Sequence, residues 1–334
     1  MNLWLATGLT VAAALAGSTL TALLIPRLQS AQVIDVPNER SLHTRPVPRG
    51  GGLAIVAVVI SAQLGLLVSQ AWSLQSGSVM TLVAGGFAAL GWADDRVGRG
   101  VVVRLAVQSI LALLFVTLAL PAAVTVMERT LLCIVVLWGV NLFNFMDGAD
   151  GLAATQAVAA SLGLGVLLSL SMQSGAALAA FTLAGATAGF LRWNWHPAHI
   201  FLGDVGSYFI GFELTALVIL SAQSSHPPWP ALILVAPFVI DASLTLLTRM
   251  LRGTAVWRAH REHVYQQLVL RGWSPARVAG ALATVLIGLC WPGAAWSVVA
   301  GVMPAVFVYG LLAIIWLWLR ARCAQARFNS PHTN

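Results

Sequence analysis

The sequence predicts an all-α, polytopic integral membrane protein with a single membrane domain over residues 1–334. Three observations predict it. The chain is 59% hydrophobic and only 9% charged, where a soluble domain carries about 25% charged residues. Its mean hydropathy is +0.86. Its apolar residues come in runs near the ~20 that a helix needs to cross about 30 Å of hydrocarbon. Lipid offers backbone polar groups no partners, so runs this continuous must be helices.

About eleven spans follow in order, at 3–25, 51–69, 77–93, 101–120, 129–145, 152–172, 176–191, 206–221, 230–250, 277–297 and 300–319. The first lacks the basic region that precedes the apolar stretch of a signal peptide. Arg27, the first charge, comes after it. It therefore reads as a retained helix with its N-terminus outside.

Arginine sets the expected orientation. All 18 basic residues are arginine. They fall in the first connection (Arg27, Arg40, Arg45, Arg49), the third (Arg96, Arg99, Arg104), the seventh (Arg192), the ninth (Arg249 to Arg277) and the tail (Arg320, Arg322, Arg327). The even connections share only Arg129. By the positive-inside rule, the odd connections and the C-terminus are cytoplasmic and the N-terminus is periplasmic. The expected setting is a bacterial inner membrane. The net charge of +7 then needs no nucleic-acid partner. Cys133 and Cys290 lie in spans and Cys323 in the tail, where no disulfide is expected.

The eleven acids are not scattered. Asp35 and Glu39, Asp94 and Asp95, Asp147 and Asp150, Asp204, and Glu262 all fall on the inferred cytoplasmic face. Only Glu128 lies outside, and Glu213 and Asp241 fall within spans. Carboxylates gathered with arginines and histidines at one membrane surface suit a phosphorylated substrate with Mg²⁺, which binds through one or two carboxylates plus substrate phosphates. Glycines beside the acids, Gly148, Gly151, Gly203 and Gly206, let backbone approach a ligand closely.

Plainer readings exist for each group. Asp147 and Asp150 could cap the sixth span, but Asn141 and Asn144 one turn earlier argue for more. Asp94 and Asp95 could balance Arg96 and Arg99. Asp204 could be a turn residue. HREH at 260–263 is weak evidence for zinc. Asp241 could pair with a buried arginine, and Glu213 reads as structural. His43, His196 and His199 could be ordinary interfacial histidines.

Taken together, six segments resemble the polyprenyl-phosphate N-acetylhexosamine-1-phosphate transferases, glycosyltransferase family 4. They are DVPNERSLHTRPVPRGGGLAI at 35–55, GWADDR at 91–96, NLFNFMDGADGLA at 141–153, FLGDVGS at 201–207, PFVIDASLTLLTR at 237–249 and HREHVYQQL at 260–268. The resemblance covers nearly the whole chain, in order. The resemblance implies transfer of an amino-sugar 1-phosphate from a UDP-N-acetylhexosamine to undecaprenyl phosphate, with release of UMP.

The resemblance also implies roles. Asp204 matches the magnesium-binding aspartate, and Mn²⁺ is the other ion such a site takes. Asp94 and Asp95 match the tandem aspartates, one of which acts on the lipid phosphate. Gly148, Ala149 and Asp150 match the uracil pocket, with Phe201 stacking on the base. Asn144 and Asp147 match positions that shape the centre. His260, Arg261 and His263 match a basic loop that grips the diphosphate. Asp35, Arg40, His43 and Arg45 would contribute near the lipid phosphate.

Two departures stand out. DDRVGRG at 94–100 lacks the further aspartate that many members carry. HREHVYQQL replaces the triple histidine of the muramoyl-pentapeptide transferase, which points to the branch that starts O-antigen and lipopolysaccharide. The muramoyl-pentapeptide reaction is the alternative within the family. An anionic-lipid transporter or flippase is the alternative of another class, but it would place its acids near the midplane between repeats. A CDP-alcohol phosphotransferase signature is not present. The sequence leaves the choice between monomer and homodimer open.

Overall fold

The computed structural model describes residues 3–38, 41–223, 227–255 and 260–328. The chain is all-α apart from one small ribbon. Its helices are α1 (Leu3–Ser30), α2 (Gly52–Val68), α3 (Leu74–Val97), α4 (Val101–Leu118), α5 (Val126–Phe145), α6 (Leu152–Leu170), α7 (Ser174–Asn194), α8 (Gly203–Ala222), α9 (Trp229–Leu251), α10 (Val264–Val269), α11 (Pro275–Val285), α12 (Trp291–Ala300) and α13 (Met303–Phe328). A π-helical turn, Leu286–Cys290, joins α11 to α12 into one run. Pro292, two residues past its end, has no N–H to give the regular ladder, so a wider turn is the local solution.

Among the described residues, ten helices are long and apolar enough to cross a membrane, and α2 is a shorter apolar one. These eleven match the eleven expected spans one for one. The chain is therefore a multi-pass membrane protein. The first turn of α8 starts earlier than expected, at Gly203 rather than 206, so Asp204 belongs to a helix rather than to a turn.

Burial separates the helices. In α7 and α8, 83% and 89% of the apolar window is buried, against 17% for α1 and 22% for α4 and α5. The first two form the centre and the others face lipid. Lipid tails are as apolar as leucine, so close backbone approach must hold such helices together. A Cβ added at Gly185 or Gly189 of α7 would lie 2.2 and 2.1 Å from the carbonyl oxygens of Thr10 and Ala14 in α1. One at Gly17 would meet the Ala186 oxygen at 2.5 Å. The two backbones touch because these side chains are absent. Around α8, Phe212 stacks on Phe87 (4.9 Å between centroids) and meets Phe115 edge-on (5.2 Å).

The ribbon is two residues a side. β1 (Ile34–Asp35) pairs antiparallel with β2 (Val47–Pro48), Ile34 opposite Pro48 and Asp35 opposite Val47. The Phe201 N–H donates to the Pro48 carbonyl at 2.8 Å, and the Gly51 N–H to the Phe201 carbonyl at 2.9 Å. These bonds pin the connection after α1 against the N-terminus of α8.

Candidate active site

At one end of the bundle lies a cavity of about 760 Å³. Small residues build its floor. A Cβ at Gly91 in α3 would lie 2.2 Å from the Asp204 carbonyl oxygen, and one at Gly52 in α2 would lie 2.2 Å from Gly206 Cα. Both helices therefore meet α8 at its first turn. One turn beyond Gly91 come Asp94 and Asp95.

The tandem aspartates have different surroundings. Asp95 lines the cavity but is only 7% exposed. Its Oδ1 accepts from the Asp204 N–H and its Oδ2 from the Val205 N–H, both at 3.0 Å. These are donors that the start of α8 leaves unpaired. Arg49 Nε lies 3.5 Å from Asp95 Oδ1, and the Arg49 guanidinium also donates to the Asp95 carbonyl. Asp94 turns away from the cavity and is 3% exposed. It accepts from the Arg99 N–H (2.6 Å), Arg104 Nη1 (3.0 Å) and the Tyr208 hydroxyl (2.9 Å).

Asp204 opens to the cavity from the first turn of α8. Asn144 Nδ2 donates to its Oδ1 at 2.8 Å and to Ser207 Oγ at 2.9 Å. Asp147, in the turn between α5 and α6, faces the same space. Burial pushes its carboxyl well above the usual carboxylate range, and the charges of Asp204, Asp95 and Asp150 push the same way. Among the described residues Arg49 pairs with Asp95, but Asp147 and Asp204 have no salt-bridge partner, a condition that a bound divalent ion relieves. Among the described residues no three His, Cys, Asp or Glu side chains form a closed metal cage. An ion held by one or two carboxylates and completed by substrate phosphate and water fits such a floor.

Arg45, Arg49 and His43 line the same cavity, with Arg49 against Asp95. His43 packs edge-on against Phe201, with 4.8 Å between centroids. Asp150 lines the cavity as well, with Gly148 and Ala149. Its Oδ2 meets His196 Nδ1 at 2.7 Å and the Ala198 N–H at 3.1 Å. Gly151 caps α6 at φ +74, a left-handed conformation natural to glycine. Its N–H donates to Asn194 Oδ1 at 3.0 Å, while Asn194 Nδ2 donates to the Ile200 carbonyl at 2.9 Å. The N-cap residue of α6 is Gly151, and the Asp150 carboxylate bonds His196 and Ala198 instead, so the simple cap reading does not hold.

The cavity brings together eleven of the expected residues: Asp35, Asp95, Asp204, Asn144, Asp147, Gly148, Ala149, Asp150, Phe201, His43 and Arg45. It does not include Asp94, His260, Arg261 or His263. His263 is 2% exposed and stacks against Tyr265 and Phe145. Burial lowers its pKa, partly offset by Asp241. His260 packs on His263 at 5.0 Å, and burial first, then His263 and Arg249, lowers its pKa to about 4. From this segment Gln266 reaches the cavity. Arg40, Glu39 and Arg258 lie outside the described residues.

Asp241 pairs with backbone rather than with an arginine. Its oxygens accept from the N–H groups of Val264 (2.9 Å) and Tyr265 (3.4 Å) and from Trp316 Nε1 (3.0 Å). It thereby seats α10, whose Tyr265 hydroxyl donates to the Phe145 carbonyl at 3.0 Å. Glu213 is buried, and both its oxygens accept from Gln63 Nε2 (2.9 and 3.0 Å). Arg49, Asn194, His196 and Gln266 line the cavity beyond the expected set. Arg49 and His196 were visible in the sequence as residue types but carried no signal separating them from charge bias and interfacial histidine.

Comparison with known proteins shows the family. The model of glycosyl transferase family 4 matches residues 77–222. The chain is similar to a probable undecaprenyl-phosphate N-acetylglucosaminyl 1-phosphate transferase of Bacillus subtilis, 30% identical over 72% of this chain and 71% of the relative. It is similar to a decaprenyl-phosphate N-acetylglucosaminephosphotransferase of Mycolicibacterium smegmatis, 30% identical over 84% of this chain and 79% of the relative. It is also similar to a phospho-N-acetylmuramoyl-pentapeptide-transferase of a Synechococcus species, 31% identical over 85% and 91%. An all-α membrane bundle, an acid-floored cavity that also holds arginines, and relatives matched over most of their length lead to one conclusion: the chain belongs to glycosyl transferase family 4, among the membrane enzymes that transfer phospho-sugars to polyprenyl phosphates.

Proposed function

We propose that the enzyme transfers an N-acetylated amino-sugar 1-phosphate from a UDP-sugar to undecaprenyl phosphate at the cytoplasmic face of a bacterial inner membrane. An oxygen of the lipid phosphate bonds to the sugar-bearing phosphorus, the bond from that phosphorus to the bridging oxygen breaks, UMP leaves with that oxygen, and undecaprenyl-diphospho-sugar remains. The observation that carries this reading is the gathering of Asp95, Asp147 and Asp204 with Arg45 and Arg49 around one cavity. A diphosphate seated beside those acids calls for a cation between it and them.

Asp204 would hold that ion, Mg²⁺ or Mn²⁺, with Asp147 beside it. When bound, the ion neutralises diphosphate charge and improves UMP as a leaving group. Asn144 keeps the Asp204 carboxylate aimed. Arg45 and Arg49 offer planar guanidinium forks, which suit phosphate. The lipid phosphate is already an anion, so correct placement contributes more than a strong base. Phe201 offers a face for the uracil, and Asp150 an acceptor for its N–H.

The arginine bias of the odd connections supports a cytoplasmic site. The HREHVYQQL segment favours initiation of O-antigen or a related surface polysaccharide over the muramoyl-pentapeptide reaction. The test is Asp204→Ala in purified protein. Turnover should be lost while membrane insertion and the Mg²⁺-independent melting temperature stay near normal. Near-normal turnover would remove the metal assignment.

A further inference from the structure

Asp150 is paired with His196, a residue that the reading above leaves without a role. They lie 46 residues apart in sequence, yet His196 Nδ1 is 2.7 Å from Asp150 Oδ2. The pair is held from both sides. Asn194 ties Gly151, next to Asp150, to the segment that carries His196. The same Oδ2 accepts the fixed N–H of Ala198. With that donor in place, the second bond to the same oxygen is completed by a donor on the imidazole, the Nδ1–H. Both groups line the cavity, and among the described residues no protein group bonds Asp150 Oδ1.

We propose that His196 is a positioning residue that fixes Asp150 as a pure hydrogen-bond acceptor and so sets the site's preference for uracil over cytosine. This rests on the cavity being a nucleotide site. Two donors on Oδ2 lock the carboxylate plane and leave Oδ1 to the base. An ionised carboxylate only accepts. Uracil presents an N–H at N3, which Oδ1 can receive. Cytosine presents a lone pair at N3, which Oδ1 repels. Discrimination thus comes from a built-in repulsion as much as from a bond.

The arrangement makes an unusual prediction for Asp150→Asn. His196 and Ala198 both donate to the same position, so they select the amide oxygen there. The amide NH₂ must then take the place of Oδ1 and point at the base. It would donate to cytosine N3 and clash with the uracil N–H.

The experiment is equilibrium binding of UMP and of CMP, with Mg²⁺, to the purified full-length protein in detergent. His196→Ala should weaken UMP by roughly 10- to 100-fold, the scale of a hydrogen bond to a charged group, and should narrow the UMP/CMP ratio. His196→Asn keeps a donor at the δ position and should retain the wild-type ratio. Asp150→Asn should shift the ratio toward CMP. An unchanged ratio in folded His196→Ala, or no shift in Asp150→Asn, overturns the inference and leaves the nucleotide site standing. Unchanged UMP binding in Asp150→Ala overturns the nucleotide reading itself, and the inference with it.

Discussion

The Asp95 carboxylate receives the Asp204 backbone N–H at 3.0 Å, so one acid of the cavity is positioned directly by another. With the Val205 N–H on its second oxygen, Asp95 fixes where α8 begins and hence where the Asp204 side chain stands. A group so used has little freedom to travel with a proton.

Removing Asp95 should therefore act on structure and chemistry together. Asp95→Ala leaves two N–H groups without their acceptor, at about 1–3 kcal/mol each where they are buried. Asp95→Asn keeps one acceptor. Melting temperatures should fall in the order wild type, Asn, Ala, and turnover should follow that order. An Ala variant as stable as wild type would show that the contact does not hold α8.

Gly91 gives a cleaner steric test. Gly91→Ala would place a methyl group 2.2 Å from the Asp204 carbonyl oxygen, and backbone cannot swing aside as a side chain can. Turnover should drop by at least tenfold, since small misplacements of a reacting centre cost that much or more. Gly85→Ala, on the same helix with nothing within 4 Å of the new methyl, should leave turnover and melting temperature unchanged or slightly improved.

Gly148 and Tyr265 should be coupled. A Cβ at Gly148 would lie 2.2 Å from the Tyr265 hydroxyl, which donates to Phe145. Gly148→Ala alone should be destabilising and should weaken nucleotide binding. Tyr265→Phe alone should cost about 1 kcal/mol for the lost bond. The double variant should be more stable than Gly148→Ala, because the clashing oxygen is gone. Simple additivity in a double-mutant cycle would contradict the contact.

The histidine pair predicts a pH dependence. His260 is pushed from 6.5 to about 4 in the folded protein, first by burial and then by the charges of His263 and Arg249. The unfolded chain therefore binds more protons between these values, and stability falls as pH drops from about 6.5 toward 4. Above 6.5 the contribution is fully present. His260→Gln should flatten part of this acid slope in melting temperature against pH. An unaltered slope would mean that His260 is not held neutral.

The spans were legible because hydrocarbon thickness dictates their length. Their ends were less so: Asp204 is polar, and hydropathy alone could not count it into α8. The ribbon of Asp35 with Val47 was invisible, since two-residue strands exist only through their contact with Phe201. The acids that line the cavity were legible from their motifs. His260 and His263 were legible as motif residues, but their stacking away from the cavity depends on Asp241 seating α10 from 23 residues earlier. Arg49 and His196 belong to the site through distances that no spacing encodes.

The most direct measurement is radiolabel transfer by purified protein with Mg²⁺ and undecaprenyl phosphate. UDP-N-acetylglucosamine, UDP-N-acetylfucosamine, UDP-N-acetylquinovosamine and UDP-muramoyl-pentapeptide would be offered in parallel, with UMP release and lipid-bound label both followed. The account predicts equal UMP release and lipid labelling from one amino-sugar donor, abolished by chelation of the metal. Label from the muramoyl-pentapeptide donor alone would move the enzyme to the other branch of its family. Folded protein that binds no UDP-sugar and transfers no label would contradict the account.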